Sequence, residues 1–261
     1  MIEPALRLVA LSLAIQLVSV SDEIAIGRQA QAEVRKQTPR LADATVTTYV
    51  ARIGRRLTTH ARGARYPYSF SVANYREINA FALPGGPVWV NRGAIASARD
   101  ESQLAAVLAH EVAHVALRHS AGQLSNMMVT NLGLNLLGAL LGNSAGANTA
   151  NIAARLVASG AFLKFSRDDE READRVGAQI MARAGWDPRG MIAVMQTIRE
   201  QERRDPSSVE VFFSNHPSPE NRIALLREAM PRRRTGTRDT AEFQSIRARL
   251  GTLPPARSMA K

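Results

Sequence analysis

Residues 101–119 read ESQLAAVLAHEVAHVALRH. Leu104, Val107, Leu108, Val112 and Val115 recur at helical spacing, so the stretch predicts an α-helix with one face in the core. Asp100 or Ser97 can cap its start, and the helix is expected to run from Glu101 to about His119. His110 and His114 stand one turn apart and project from the same face. Two imidazoles at that spacing can bind one zinc ion from a single rigid element. Glu111 lies beside them, within reach of a metal-bound water whose pKa zinc lowers to about 7. It can take the proton as that water attacks a carbonyl, then pass it toward a leaving amine. A surface helix with two unrelated histidines is the plain alternative; the apolar neighbours on both sides argue against it.

Such a site needs a third protein ligand and an open position for water. Cysteine is absent, which removes thiolate ligands, thiol nucleophiles and disulfide scaffolds. His60 lies beside an expected helix end with no partner signal and is read as structural. His119 falls nine residues after His110, which on a continuous helix turns it to the opposite side, a poor place for a ligand. Carboxylates are the better source. Ser166-Arg167-Asp168-Asp169-Glu170-Arg171-Glu172-Ala173-Asp174 opens a helix in which Glu170 and Asp174 share a face. One of the two can ligate the metal while the other hydrogen-bonds a ligating histidine. Glu172 points about 200° away and is expected in solvent. An acidic helix start that only complements the helix dipole would read the same way.

Outward from these two helices, Ser21-Asp22-Glu23 marks a first helix and Val46 to Thr59 a second. Tyr66 to Val72, Ile78 to Leu83 and Val88 to Val90 alternate like short strands, with Pro84-Gly85-Gly86-Pro87 as a turn, and predict a small antiparallel sheet. After it, helices are expected over Ser166–Arg183, from Pro188 to Asp205-Pro206, and over Pro219–Met230. Helices, a small sheet, then more helices make an α+β domain. Residues 127–151 are apolar, then rich in Gly, Asn and Ala; a membrane-seeking flap and a buried helical hairpin both fit them.

The chain has 261 residues, 45% hydrophobic and 22% charged, a globular composition rather than a disordered one. The formal charge is +11. Nine basic and three acidic residues between Arg227 and Lys261 hold 9 − 3 = 6 of that excess. A solvated basic tail is expected over 231–261. Its one aromatic, Phe243, serves base stacking poorly, so no nucleic-acid partner is expected. Arg7, the apolar stretch Leu8–Val18 and the small residues Ser19 and Ser21 describe a signal peptide over 1–21, and the run is short for a membrane span. An N-terminal amphipathic or buried helix is the alternative.

Five motifs follow one another: Asn79-Ala80-Phe81-Ala82-Leu83-Pro84-Gly85-Gly86, Val90-Asn91-Arg92-Gly93, His110-Glu111-Val112-Ala113-His114, Glu170-Arg171-Glu172-Ala173-Asp174 and Asn215-His216-Pro217-Ser218-Pro219. Together they resemble the zinc peptidase family of the HtpX-like, CAAX prenyl and periplasmic BepA-like proteases, from about Glu23 to Met230. The resemblance implies a zincin-like (gluzincin) domain over 22–230, mainly helical, and a metalloendopeptidase holding one Zn2+ per chain. It implies Glu170 as third zinc ligand beside His110 and His114. Glu111 becomes the general base, and Asp174 stands behind a ligating histidine or donates a proton. His216 is expected near the metal, stabilising an oxyanion or capping the zinc in a latent state, with Arg222 steadying its loop or touching substrate. Asn79 and Ala80 are expected either on a strand edge that grips an extended peptide or in an ordinary core strand. Unfolded or misassembled envelope proteins are the expected substrates, in the periplasm or at the envelope with possible membrane-surface association. A latent or inactive zinc-binding chaperone or adaptor is the rival reading.

Overall fold

The computed structural model describes residues 18–127, 129, 164–216, 220–230 and 236–259. Nearly all of the 127–151 segment, most of the expected leader and residues 217–219 lie outside them. Among the described residues no helix is long and apolar enough to cross a membrane.

The elements are α1 (Val20–Gln37), α2 (Ala44–Thr58), β1 (Ser69–Ala73), β2 (Ala80–Ala82), β3 (Pro87–Asn91), α3 (Arg92–Ser97), α4 (Glu101–Ala116), α5 (Arg167–Arg183), α6 (Gly190–Arg204), α7 (Glu210–Asn215), α8 (Glu220–Ala229) and α9 (Ala241–Thr252). Asp100 caps α4 by accepting from Gln103 N at 3.1 Å. Fourteen of the sixteen α4 residues are buried, so the helix is the core rather than one wall of it. It packs on α2, α5, α6 and β2. The contact with α5 is close: a Cβ on Gly177 would lie 3.2 Å from Ala109 O.

The α+β class is as expected, but the sheet is mixed rather than antiparallel. Its order is β1-β3-β2, with β1 parallel and β2 antiparallel to β3. The reason is apolar content. All five residues of β3 are buried, whereas three of β1 are only half-buried, so β3 takes the centre. The short β2 is left as an edge beside α4. The turn behind it needs glycine: Gly85 has φ +73, and a Cβ there would come within 2.5 Å of Ile24 Cα.

Three boundaries differ from the sequence reading. First, α4 stops at Ala116, and Arg118 adopts φ 61. Arg118 is held there by Glu23 Oε1 at 2.7 Å and by Val18 O at 2.6 Å, and the chain becomes helical again at 119–127. Second, the folded domain begins before residue 22. Ser19 and Asp22 form a reciprocal cap on α1, and Val18 is buried. Third, 231–261 is not simply a solvated tail. Phe243, Ile246 and Leu250 bury one face of α9 against α2 and α3. The buried Arg92 guanidinium then donates to Leu250 O at 2.5 Å, Pro254 O at 2.6 Å and Leu253 O at 3.3 Å, fastening the chain beyond α9. Phe243→Ala should therefore cost about 3–5 kcal/mol in urea denaturation; a loss under about 1 kcal/mol would show that α9 is dispensable.

Candidate metal centre

His110 and His114 project from one face of α4, with their Nε2 atoms 2.9 Å apart. The α5 start is fixed by a capping box in which Ser166 and Asp169 satisfy each other's backbone N–H. That phase turns Glu170 and Asp174 inward, both buried, and leaves Glu172 exposed. Glu170 Oε1 lies 3.3 Å from His114 Nε2, and Oε2 lies 3.5 Å from His110 Nε2. His216 follows α7 and brings Nδ1 to 2.9 Å from Glu170 Oε1 and 3.4 Å from His110 Nε2. One donor atom from each of His110, His114, Glu170 and His216 falls within a 4.8 Å group. Spacing singled out His110 and His114, and the resemblance added Glu170 and His216.

Glu111 is also buried, with Oε1 3.6 Å from His216 Nε2 and the backbone N–H of Ala82 on β2 donating toward it. Its Oε2 has no hydrogen-bond partner among the described residues. Asp174 sits behind His110, with Oδ1 3.1 Å from His110 Nδ1. Arg222 grips it bidentately, Nε to Oδ2 at 2.6 Å and Nη2 to Oδ1 at 2.7 Å, and reaches Glu170 Oε2 at 2.5 Å. Arg222 is thus neither a surface ion pair nor aimed at a peptide groove. It is a buried clamp on the two carboxylates. Asp174 is fixed between Arg222, from which it accepts, and His110. Asn79 and Ala80 are buried too. Asn79 O accepts from Asn91 N at 2.9 Å, and Asn79 Oδ1 has no partner among the described residues.

Three site residues escaped the sequence reading. Phe165 stacks on His114 with ring centroids 3.9 Å apart, and Phe212 stacks on His216 at 5.0 Å. The first precedes the capping Ser166, and the second sits four residues before His216; those positions were the available signals. The third is His119. It is buried, and its Nδ1 lies 2.9 Å from His114 Nδ1. The expected opposite-side placement fails because the helix breaks between them.

Electrostatics bind the cluster together. Burial opposes charge on His110, but Glu170 and Asp174 outweigh it and raise its pKa to about 10. Burial, aided by the His110 charge, pushes His114 well below its ordinary value. Burial raises Glu111, against the pull of His216 and His110. Burial also works against ionisation of Glu170, yet His216 and His110 hold it charged. Lone-pair donors this close repel one another unless a cation lies among them. Two imidazoles and a carboxylate, without thiolate, form a donor set that suits a catalytic zinc ion.

The family model described as "Peptidase family M48" matches residues 44–230. This chain belongs to peptidase family M48. The beta-barrel assembly-enhancing protease of Escherichia coli (strain K12) is 32% identical over 216 residues, covering 80% of this chain and 44% of that protein. The mitochondrial metalloendopeptidase OMA1 of Schizosaccharomyces pombe is 32% identical over 185 residues, covering 71% of this chain and 53% of its own. OMA1 of Saccharomyces cerevisiae is 35% identical over 159 residues, covering 59% of this chain and 44% of its own. The chain thus spans about half the length of these relatives.

Removing Arg222 would leave two buried carboxylates without their cation. Arg222→Ala should cost about 3–5 kcal/mol in denaturation with chelator present. Arg222→Lys should recover only part, since an ammonium cannot make the bidentate pair. Wild-type stability in Arg222→Ala would contradict the clamp.

Proposed function

We propose that this M48 member is a zinc-dependent endopeptidase acting on unfolded or misassembled proteins of the cell envelope, reached by export. The observation that carries the reading is the convergence of His110, His114 and Glu170 on one buried point, with Glu111 beside them. Zinc held by those three residues would supply Lewis acidity that lets water act as a nucleophile near neutral pH.

The chain's own residues do the rest. Asp174 Oδ1, 3.1 Å from His110 Nδ1, is placed to take that ring nitrogen's proton and leave Nε2 to ligate, and Arg222, against burial, keeps Asp174 ionised. Glu111, its pKa raised by burial, takes a proton from the attacking water and delivers it to the leaving nitrogen. Apart from Ala82 N–H, which donates toward Glu111, the outer edge of β2 offers backbone groups to an extended peptide, an attachment that accepts any sequence. Breadth of that kind suits unfolded substrates. Asn79 Oδ1, unpartnered beside this strand, is an acceptor for a peptide N–H. The substrate class and the envelope location draw on the name of the beta-barrel assembly-enhancing protease and on the leader-like residues 1–21.

A second reading is favoured by the position of His216. With Nδ1 among the ligand atoms it would act as a fourth ligand and close the site, as in structural rather than catalytic zinc centres. The wild-type chain would then be latent, or an adaptor that cleaves little.

Wild-type protein and Glu172→Gln should carry one zinc per chain, whereas Glu170→Gln should fall well below one by elemental analysis. The reverse ranking would move the third ligand to Glu172. Glu111→Gln keeps size but cannot take a proton. It should retain zinc and fold while kcat/KM on an unfolded protein substrate falls about 10²–10⁴-fold; undiminished cleavage would end the peptidase reading. If His216 closes the site as a fourth ligand, His216→Ala should raise kcat/KM. A fall of roughly 10²-fold instead would assign His216 to oxyanion stabilisation.

A further inference from the structure

Metal-ligating histidines are normally oriented through the ring nitrogen that does not touch the metal. For His110 that partner is Asp174. For His114 no carboxylate or carbonyl among the described residues takes that role. Its Nδ1 instead meets His119 Nδ1 at 2.9 Å, with the rings at 72°. We propose that His119 is a positioning residue for the metal ligand His114, holding that ring through the nitrogen a metal would leave free.

The tautomers follow from the contacts. His114 Nε2 faces His110 and Glu170, so a metal takes Nε2 and the proton stays on Nδ1. That proton is donated to His119 Nδ1, which must be the acceptor. A neutral His119 therefore carries its own proton on Nε2. His119 Nε2 is buried without a hydrogen-bond partner among the described residues, and it faces Glu172 Oε2 at 3.6 Å and Asp169 Oδ1 at 3.8 Å. Both carboxylates are partly exposed, so His119 lies between the ligand and the surface. The His114 proton thus has one direction, to His119 Nδ1, while the His119 Nε2 proton faces the two carboxylates without a direct hydrogen bond.

The backbone is built to deliver this ring. A helix continued past Ala116 would carry His119 away from His114. The left-handed Arg118 turns the chain back, and Glu23 of α1 holds Arg118 there. Phe165 stacks on the His114 ring and fixes its plane, and His119 fixes its rotation and tautomer. A non-glycine residue at φ 61 costs free energy, and the contact it creates is with a metal ligand.

The inference rests on the zinc site proposed above, and two substitutions at one position test it. Asn carries an acceptor oxygen on Cγ, where His119 carries Nδ1; Gln places its oxygen one bond further out, near the place of Nε2. The measurement is zinc(II) affinity and dissociation rate by competition with a chromophoric chelator, with circular dichroism as the control for folding. His119→Leu should weaken zinc binding about 10–100-fold while the helical signal stays. His119→Asn should remain within a few-fold of wild type, and His119→Gln should resemble His119→Leu. Wild-type zinc affinity in His119→Leu would overturn the proposal. If His119→Leu does not fold, equal affinities for His119→Asn and His119→Gln would overturn it. If the wild-type chain itself binds no zinc, the zinc site and this inference fall together, whereas zinc binding indifferent to position 119 removes only the inference.

Discussion

Three carboxylates, Glu111, Glu170 and Asp174, are buried in the centre of this domain at 1%, 0% and 1% exposure. Burying ionised carboxylates is costly unless cations and donors surround them. Arg222 supplies one charge to two of them, and His110, its pKa raised to about 10, supplies another. A divalent ion among the imidazoles would complete the balance and displace the His110 proton, because ligation needs neutral histidine. The architecture can be read as the means of holding this set of charges away from water.

The scaffold does so by making the metal helix the core. With α4 enclosed by α2, α5, α6 and β2, its ligands cannot swing out, and Gly177 lets α5 approach closely enough for Glu170 to reach both imidazoles. The same enclosure places β2, an edge strand of the sheet, alongside Glu111, toward which its Ala82 N–H donates. Residues far along the chain secure this arrangement. Arg92, at the end of β3, ties down the segment after α9, and Met259 N and Ser258 Oγ bond Glu77 just ahead of β2. The basic C-terminal region thus supports the strand beside the site.

What could be read from the sequence was what depends on one helix at a time. Spacing alone put His110 and His114 on one face, and helical rotation separated Glu170 and Asp174 from Glu172. Resemblance, not spacing, chose Glu170 over Asp174 as ligand, and the geometry agrees with that choice. His119 was misplaced because its position depends on a left-handed Arg118 held by a glutamate 95 residues earlier, a long-range cause with no local signature. The sheet order was missed because hairpin reasoning pairs sequential strands, whereas burial put β3 in the centre. Phe243, Ile246 and Leu250 do recur at helical spacing; the surrounding arginines led the segment to be read as a solvated tail.

The central claim is that one zinc ion sits between His110, His114 and Glu170. Anomalous diffraction across the zinc absorption edge, on crystals grown with zinc, tests it most directly. The account predicts one strong peak per chain, about 2.0–2.2 Å from both Nε2 atoms and a Glu170 oxygen. An empty position there, with zinc bound elsewhere on the chain or not at all, would contradict it.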